Sequence, residues 1–100
     1  LDPQESISNA AAYFKLLYIR YRGAANEEER IKLALAAYNA GEGRIKQFTS
    51  MADSLNVDRR YWENVSALFD QVEDFKGAET RAYVDRVMAL YAAMRKICPD

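Results

Sequence analysis

The run Ala34-Leu-Ala-Ala-Tyr-Asn-Ala-Gly-Glu-Gly-Arg-Ile45 constrains this chain more than any other stretch. It reads as the end of one helix, a glycine break and the start of another. Leu33, Ala36 and Ala37 are strong helix formers. Gly41 and Gly43 can take positive φ without steric cost, so the helix is expected to stop near Gly41. Tyr38 and Asn39 then fall in its last turn, a phenol and a carboxamide beside a sharply bent backbone. Ala40 and Gly41 carry almost no side chain, so a ligand can approach that backbone closely. The arrangement suits a polar, ring-shaped ligand. The plainer reading is a helix C-cap with one packed Tyr and one Asn satisfying loose carbonyls, and spacing alone favours it.

The flanking sequence sets where that break lies in the fold. Asn26 can cap a helix from about Glu27 to Ala40, and Glu29 stands where a capping box needs it. Ile31, Leu33, Ala34, Leu35, Ala36, Ala37 and Tyr38 make this helix apolar nearly all round, which predicts a central helix. Upstream, Asp2 and Pro3 mark a helix start. Ile7, Ala10, Ala11, Phe14, Leu17, Tyr18 and Tyr21 then recur at helical spacing up to Gly23. From Arg44 a third helix is expected, with Ile45, Phe48, Met51, Ala52 and Leu55 inward, ending near Asn56. Asp58 is the expected cap of a short helix carrying Tyr61, Trp62, Val65, Leu68 and Phe69. Trp62 can stack on a sugar ring, but its spacing with Val65 and Phe69 favours core packing. An acidic link, Asp70 to Gly77, leads to a last helix from about Ala78 to Ile97. Its expected buried stripe is Val84, Val87, Met88, Tyr91, Met94 and Ile97, and Pro99 marks the stop. Glu79 and Tyr83, four residues apart, share a face of its first turn. The fold class is therefore all-α, with about five helices in a single domain or part of one.

Composition narrows the chemistry. A formal net charge of −1 gives no electrostatic reason to expect nucleic acid or an anionic membrane surface. The chain has no His, which removes Ser-His and Cys-His nucleophile pairs and any His-bearing metal site. Acid–base chemistry would fall to carboxylates, Tyr or Lys. The single Cys98 cannot form an intrachain disulfide. No apolar run approaches the ~18 residues that a membrane span needs.

Two further segments join the first to suggest a family. Ala36-Ala37-Tyr38-Asn39-Ala40-Gly41 with Gly43-Arg44-Ile45, Glu79-Thr80-Arg81-Ala82-Tyr83-Val84, and Asp2-Pro3-Gln4-Glu5-Ser6-Ile7 followed by Ala11 and Tyr13 occur in order. Together they resemble the lytic murein transglycosylases, bacterial cell-wall enzymes with a lysozyme-like (goose-type) helical domain. The insert from Phe48 to Lys76 looks like the membrane-bound lytic transglycosylase F branch. The resemblance implies cleavage of the β-1,4 bond between N-acetylmuramic acid and N-acetylglucosamine, without water, to a 1,6-anhydro product. One carboxylic acid serves in turn as acid and base, and no cofactor or metal is implied. In the family that acid opens a Glu-Ser segment followed by Gly-Leu-Met-Gln. Neither is present in register here, and Glu5-Ser6 aligns with a later helix, so Glu5 is not assigned as catalytic. Residues 1–100 therefore resemble the C-terminal part of such a domain, with the catalytic Glu expected upstream of Leu1. By resemblance Tyr38, Asn39, Ala40, Gly41, Glu79 and Tyr83 would line the glycan groove, the partner being peptidoglycan strands in the periplasm or cell envelope. Apolar surface left on the Ile31–Tyr38 helix is expected to drive self-association. The alternative is a non-catalytic helical module that binds glycan or protein.

Overall fold

Gly41 is the pivot of the molecule. Its φ of 102° and ψ of 138° end one helix and begin the next within a single residue. An added Cβ there meets nothing within 4 Å, so backbone conformation rather than space requires glycine. The computed structural model describes residues 2–97. They form α1 (Pro3–Arg20), α2 (Glu27–Ala40), α3 (Glu42–Ser54), α4 (Trp62–Ser66), a 3-10 turn (Phe69–Gln71) and α5 (Gly77–Ile97). No strand occurs among the described residues. The expected all-α architecture is what the structure shows. The expectations for Cys98 and Pro99 lie outside the described residues.

Helix α2 is central, as its all-round apolar surface predicts. Leu33, Ala34, Leu35, Ala36 and Ala37 are buried in succession. A helix buried on consecutive residues must be covered on every side, and α1, α3, α4 and α5 all pack on α2. The alanines let these neighbours approach closely. Helix α5 runs antiparallel to α2, because Thr80 at its start meets Asn39 at the end of α2.

A second packing centre lies between α3 and the start of α5. Phe48, Phe69 and Phe75 form a triangle with ring centroids 4.8–4.9 Å apart, and Trp62 meets Phe69 edge-on at 5.6 Å. Trp62 is thus core rather than a sugar platform. Phe75, with half-buried Val72, pins the acidic link to the core. Gly77 is needed here for space: an added Cβ would lie 2.7 Å from Cβ of Phe69.

Four local expectations are corrected. Helix α3 begins at Glu42 rather than Arg44, because Gly41 alone makes the break and Gly43 is helical. Leu55 follows the end of α3 and is exposed. Asp58 caps no helix, since its carboxylate accepts from the backbone and guanidinium of Arg60 instead. The cap of α4 comes from α2: Oε1 of Glu29 accepts from N–H of Trp62 at 2.7 Å. Glu29 therefore fills only half of the expected capping box. Its N–H is bonded by the Asn26 side chain, while its own carboxylate serves the other helix.

The expected buried stripes of α1 and α5 are covered only in part. On α1, Leu17 is buried, Phe14, Tyr18 and Tyr21 are half-buried, and Ile7 and Ala11 are exposed. On α5, Val84 is buried, Val87 and Met88 are half-buried, and Tyr91, Met94 and Ile97 are exposed. Length explains this. At 1.5 Å per residue α5 is ~31 Å long and α2 only ~21 Å, so the last turns of α5 outrun their support. Between α1 and α5, over Ile31 and Leu35 of α2, lies an apolar slot of about 550 Å³. Phe14 and Tyr18 form one wall, and Val87, Met88 and Tyr91 the other.

Candidate functional site

The last turn of α2 places its two polar residues at the surface. Tyr38 is 36% exposed, and its ring sits 5.7 Å from Tyr13 and 6.3 Å, edge-on, from Phe14. Tyr83 of α5 is half-buried. Its phenol is pushed above the ordinary tyrosine value, first by burial and then by the neighbouring Tyr38 hydroxyl. Tyr13, Phe14 and Tyr38 form one aromatic edge drawn from two helices. Such an edge offers ring faces and phenol hydroxyls together, the combination that amphipathic ligands require.

Asn39 is oriented from across the fold. Its Oδ1 accepts from Oγ1 of Thr80 at 3.0 Å, and Thr80 is only 3% exposed. The carboxamide oxygen is thereby taken, and the NH₂ group, in an exposed side chain, is left to donate outward. Glu79, the residue before Thr80, is exposed at the first turn of α5. It makes no hydrogen bond or ion pair with another side chain among the described residues. Ala40 and Gly41 lie half-buried just beyond Asn39, and the open space over Gly41 leaves its backbone approachable.

The structure therefore brings Tyr38, Asn39, Ala40 and Gly41 to the same edge as Thr80 and Tyr83, with Glu79 beside them. It does not enclose them. Neither of the two cavities that flank α2 includes Tyr38, Asn39, Glu79 or Tyr83. The edge opens at one end onto the apolar slot, which shares Phe14 with it. Sequence reasoning missed Thr80 as the residue that orients Asn39, and Tyr13 as the neighbour of Tyr38. Tyr13 carried a weak signal, since Tyr13, Leu17 and Tyr21 recur every four residues along one face. Thr80 lies within the Glu79–Val84 segment that carries the resemblance, but nothing local points to its partner, which is distant in the chain.

The carboxylates are distributed in a way that bears on catalysis. Among the described residues no Asp or Glu is fully buried. The half-buried Glu29 caps α4, Glu42 pairs with Arg20, and Asp58 pairs with Arg60. The Arg60 guanidinium holds the Asp58 carboxyl below its ordinary value, the wrong direction for a group that must donate a proton near neutral pH. Asp2, Glu5 and Glu79 are exposed.

A family model described as Transglycosylase SLT domain matches residues 1–59, which include α1, the whole of α2 and the Gly41 break. The chain belongs to the transglycosylase SLT domain family. This SLT domain is 30% identical over 112 residues to a membrane-bound lytic murein transglycosylase F of Marinobacter nauticus, covering 100% of this chain and 22% of that protein. It is 28% identical to a protein of the same name from Shewanella frigidimarina, over 91% of this chain and 21% of the relative. A third, from Maricaulis maris, is 33% identical over 73% of this chain. The match to Marinobacter nauticus extends beyond the family model and takes in α4 and α5. The SLT domain spans about a fifth of the length of these curated relatives. No solved structure matches it.

Proposed function

We propose that this SLT domain is the glycan-contacting part of a peptidoglycan lytic transglycosylase. The enzyme breaks the β-1,4 bond between N-acetylmuramic acid and N-acetylglucosamine and closes the muramic C6 hydroxyl onto C1. One observation carries the reading: Asn39 at the glycine-broken end of α2 is tied to Thr80 at the start of α5, which gathers the predicted residues on one edge. Tyr38 and Tyr83 offer hydroxyls and ring faces to a sugar, and the Asn39 amide donates. The backbone of Ala40 and Gly41 takes an N-acetyl group, and Glu79 closes the edge from α5. The names of the curated relatives support the same chemistry.

The reaction needs one carboxylic acid that stays protonated until it meets the glycosidic oxygen, and therefore apolar surroundings. No described carboxyl is buried. We place the acid on polypeptide preceding Leu1, on a segment that packs into the apolar slot and ends beside Tyr38. Without that segment, the slot is an adhesive face through which copies of the SLT domain self-associate. The parent protein works in the bacterial envelope, in the periplasm, where its polymer substrate is.

The test compares this chain with a longer polypeptide that includes the preceding residues, both acting on purified peptidoglycan. The chain alone should leave the turbidity unchanged. The longer polypeptide should clear it and release 1,6-anhydro ends, and Asn39→Ala should slow it by about tenfold to a hundredfold through one lost substrate hydrogen bond. Clearing by residues 1–100 alone, abolished by Glu79→Gln, would overturn the placement of the acid. Reducing ends in place of anhydro ends would overturn the reaction.

A further inference from the structure

On the other flank of α2 lies a cleft of about 420 Å³, and its lining is cationic. Arg20 from the end of α1, Lys46 from α3, and Arg59 and Arg60 from the segment before α4 face it, against the single carboxylate of Glu42. Glu42 is engaged by Arg20, Asp53 pairs with Arg59 at 3.2 Å, and Asp58 pairs with Arg60 at 2.9 Å. Lys46 has no ion pair among the described residues. The lining therefore keeps a positive surplus even after every pair is counted. Its floor is apolar, formed by Leu33 and Ala24.

Tyr21 completes the wall. Its hydroxyl has no hydrogen-bond partner among the described residues, although the ring is half-buried. Burial pushes this phenol up to about 12, so it stays a neutral donor throughout the physiological range. Arginine forks and a phenol over an apolar floor suit a carboxylate carried on a small apolar body.

The cleft also adjoins the aromatic edge. Glu42 directly follows Gly41 in the chain. A molecule lying on Gly41 can therefore send a side branch over Glu42 into the cleft.

We propose that this cleft binds the carboxylates of a short peptide. Resting on the function proposed above, that peptide is the one attached to the muramic acid of a glycan strand lying along Tyr38 and Asn39. The cationic pairs already present set the competition: an incoming carboxylate displaces Glu42 from Arg20 or takes Lys46 directly.

The test is a heteronuclear NMR titration of this chain with three probes. These are the acidic tripeptide L-alanyl-γ-D-glutamyl-L-lysine, the same tripeptide with its carboxylates amidated, and a peptide-free N-acetylated chitooligosaccharide. The acidic tripeptide should shift Tyr21 and Lys46 in a saturable way. Amidation should weaken binding by about tenfold or more, the scale of a hydrogen bond to a charged group. Exposed Lys46→Glu should do the same, while the chitooligosaccharide should move Tyr38 and Asn39 and leave Lys46 still. A disaccharide carrying the tripeptide should bind more tightly than either part, because linkage raises effective concentration. Equal binding of the acidic and amidated forms, or no shift in the cleft while the sugar still moves Tyr38, would sink the cleft proposal and leave the glycan reading standing. Acid-dependent binding in the cleft with Tyr38 and Asn39 unmoved by sugar would keep the carboxylate site but remove the glycan link.

Discussion

The aromatic centre around Phe69 and the slot between α1 and α5 are built from the same kinds of residue, yet they are finished differently. At the first, Phe48, Phe69 and Phe75 close on one another, Trp62 covers them, and Gly77 lets α5 approach. At the second, Ile31 and Leu35 form a floor whose walls stand apart, and Tyr91, Met94 and Ile97 continue into solvent. The first is a core that satisfies itself. The second has the composition of a core and the exposure of a surface, which is how an interface is recognised. Stability should therefore reside at the aromatic end, and association at the slot.

The sharpest way to break that contrast is Phe69→Ala. Phe69 is fully buried, so its truncation should cost ~3–5 kcal/mol in urea unfolding. A cost below ~1.5 kcal/mol would mean that the triangle is not the anchor. Next is Glu29→Ala, which frees the Trp62 N–H and the start of α4. It should cost ~1–2 kcal/mol and shift Trp62 fluorescence to the red. An unshifted spectrum would show that α4 holds without its distant cap. Thr80→Val removes the tether of Asn39 and should cost about 1 kcal/mol. Its larger effect should be on sugar binding, and unchanged sugar affinity would show that the tether does not orient the amide.

At the slot the order of effects reverses. Tyr91→Glu should change stability by only about 0.5 kcal/mol, since the residue is 47% exposed. It should nevertheless reduce self-association measured by sedimentation. Unaltered association would move the adhesive face elsewhere. The smallest effect belongs to Tyr21. Its folded pKa is raised from 10.0 to about 12, so its contribution is intact below the ordinary tyrosine value and is lost as pH climbs through the folded one. In ultraviolet absorbance Tyr21 should be the last phenol to titrate, in a late phase near pH 12. A Tyr21→Phe variant that keeps that late phase would assign it to another residue.

The contrast also explains what could be read from the sequence. The break at Gly41 was legible because positive φ belongs to glycine, and the central place of α2 because alanine and leucine surround it. The Asn26 cap was legible because its partner, the N–H of Glu29, is local. The carboxylate of Glu29 was not, because it bonds a residue more than thirty positions away. Asp58 misled for the converse reason: Arg60, two residues on, captured a side chain that would have suited a cap. On α1 and α5, periodicity correctly told which face is apolar. It could not tell how far each helix outruns the neighbour that covers it. At the candidate site, Tyr38 and Asn39 were read from their place in a final turn. Thr80 stayed hidden, since its hydroxyl acts through a contact that only the antiparallel packing of α2 and α5 creates.

The most direct measurement is a chitooligosaccharide titration of the labelled chain followed residue by residue. If the end of α2 and the start of α5 act as one sugar-binding edge, signals of Tyr38, Asn39, Gly41, Thr80 and Tyr83 will move together along a single saturation curve. Saturation with those signals still, or with the shifts gathered around residues of the aromatic centre such as Trp62, would contradict it.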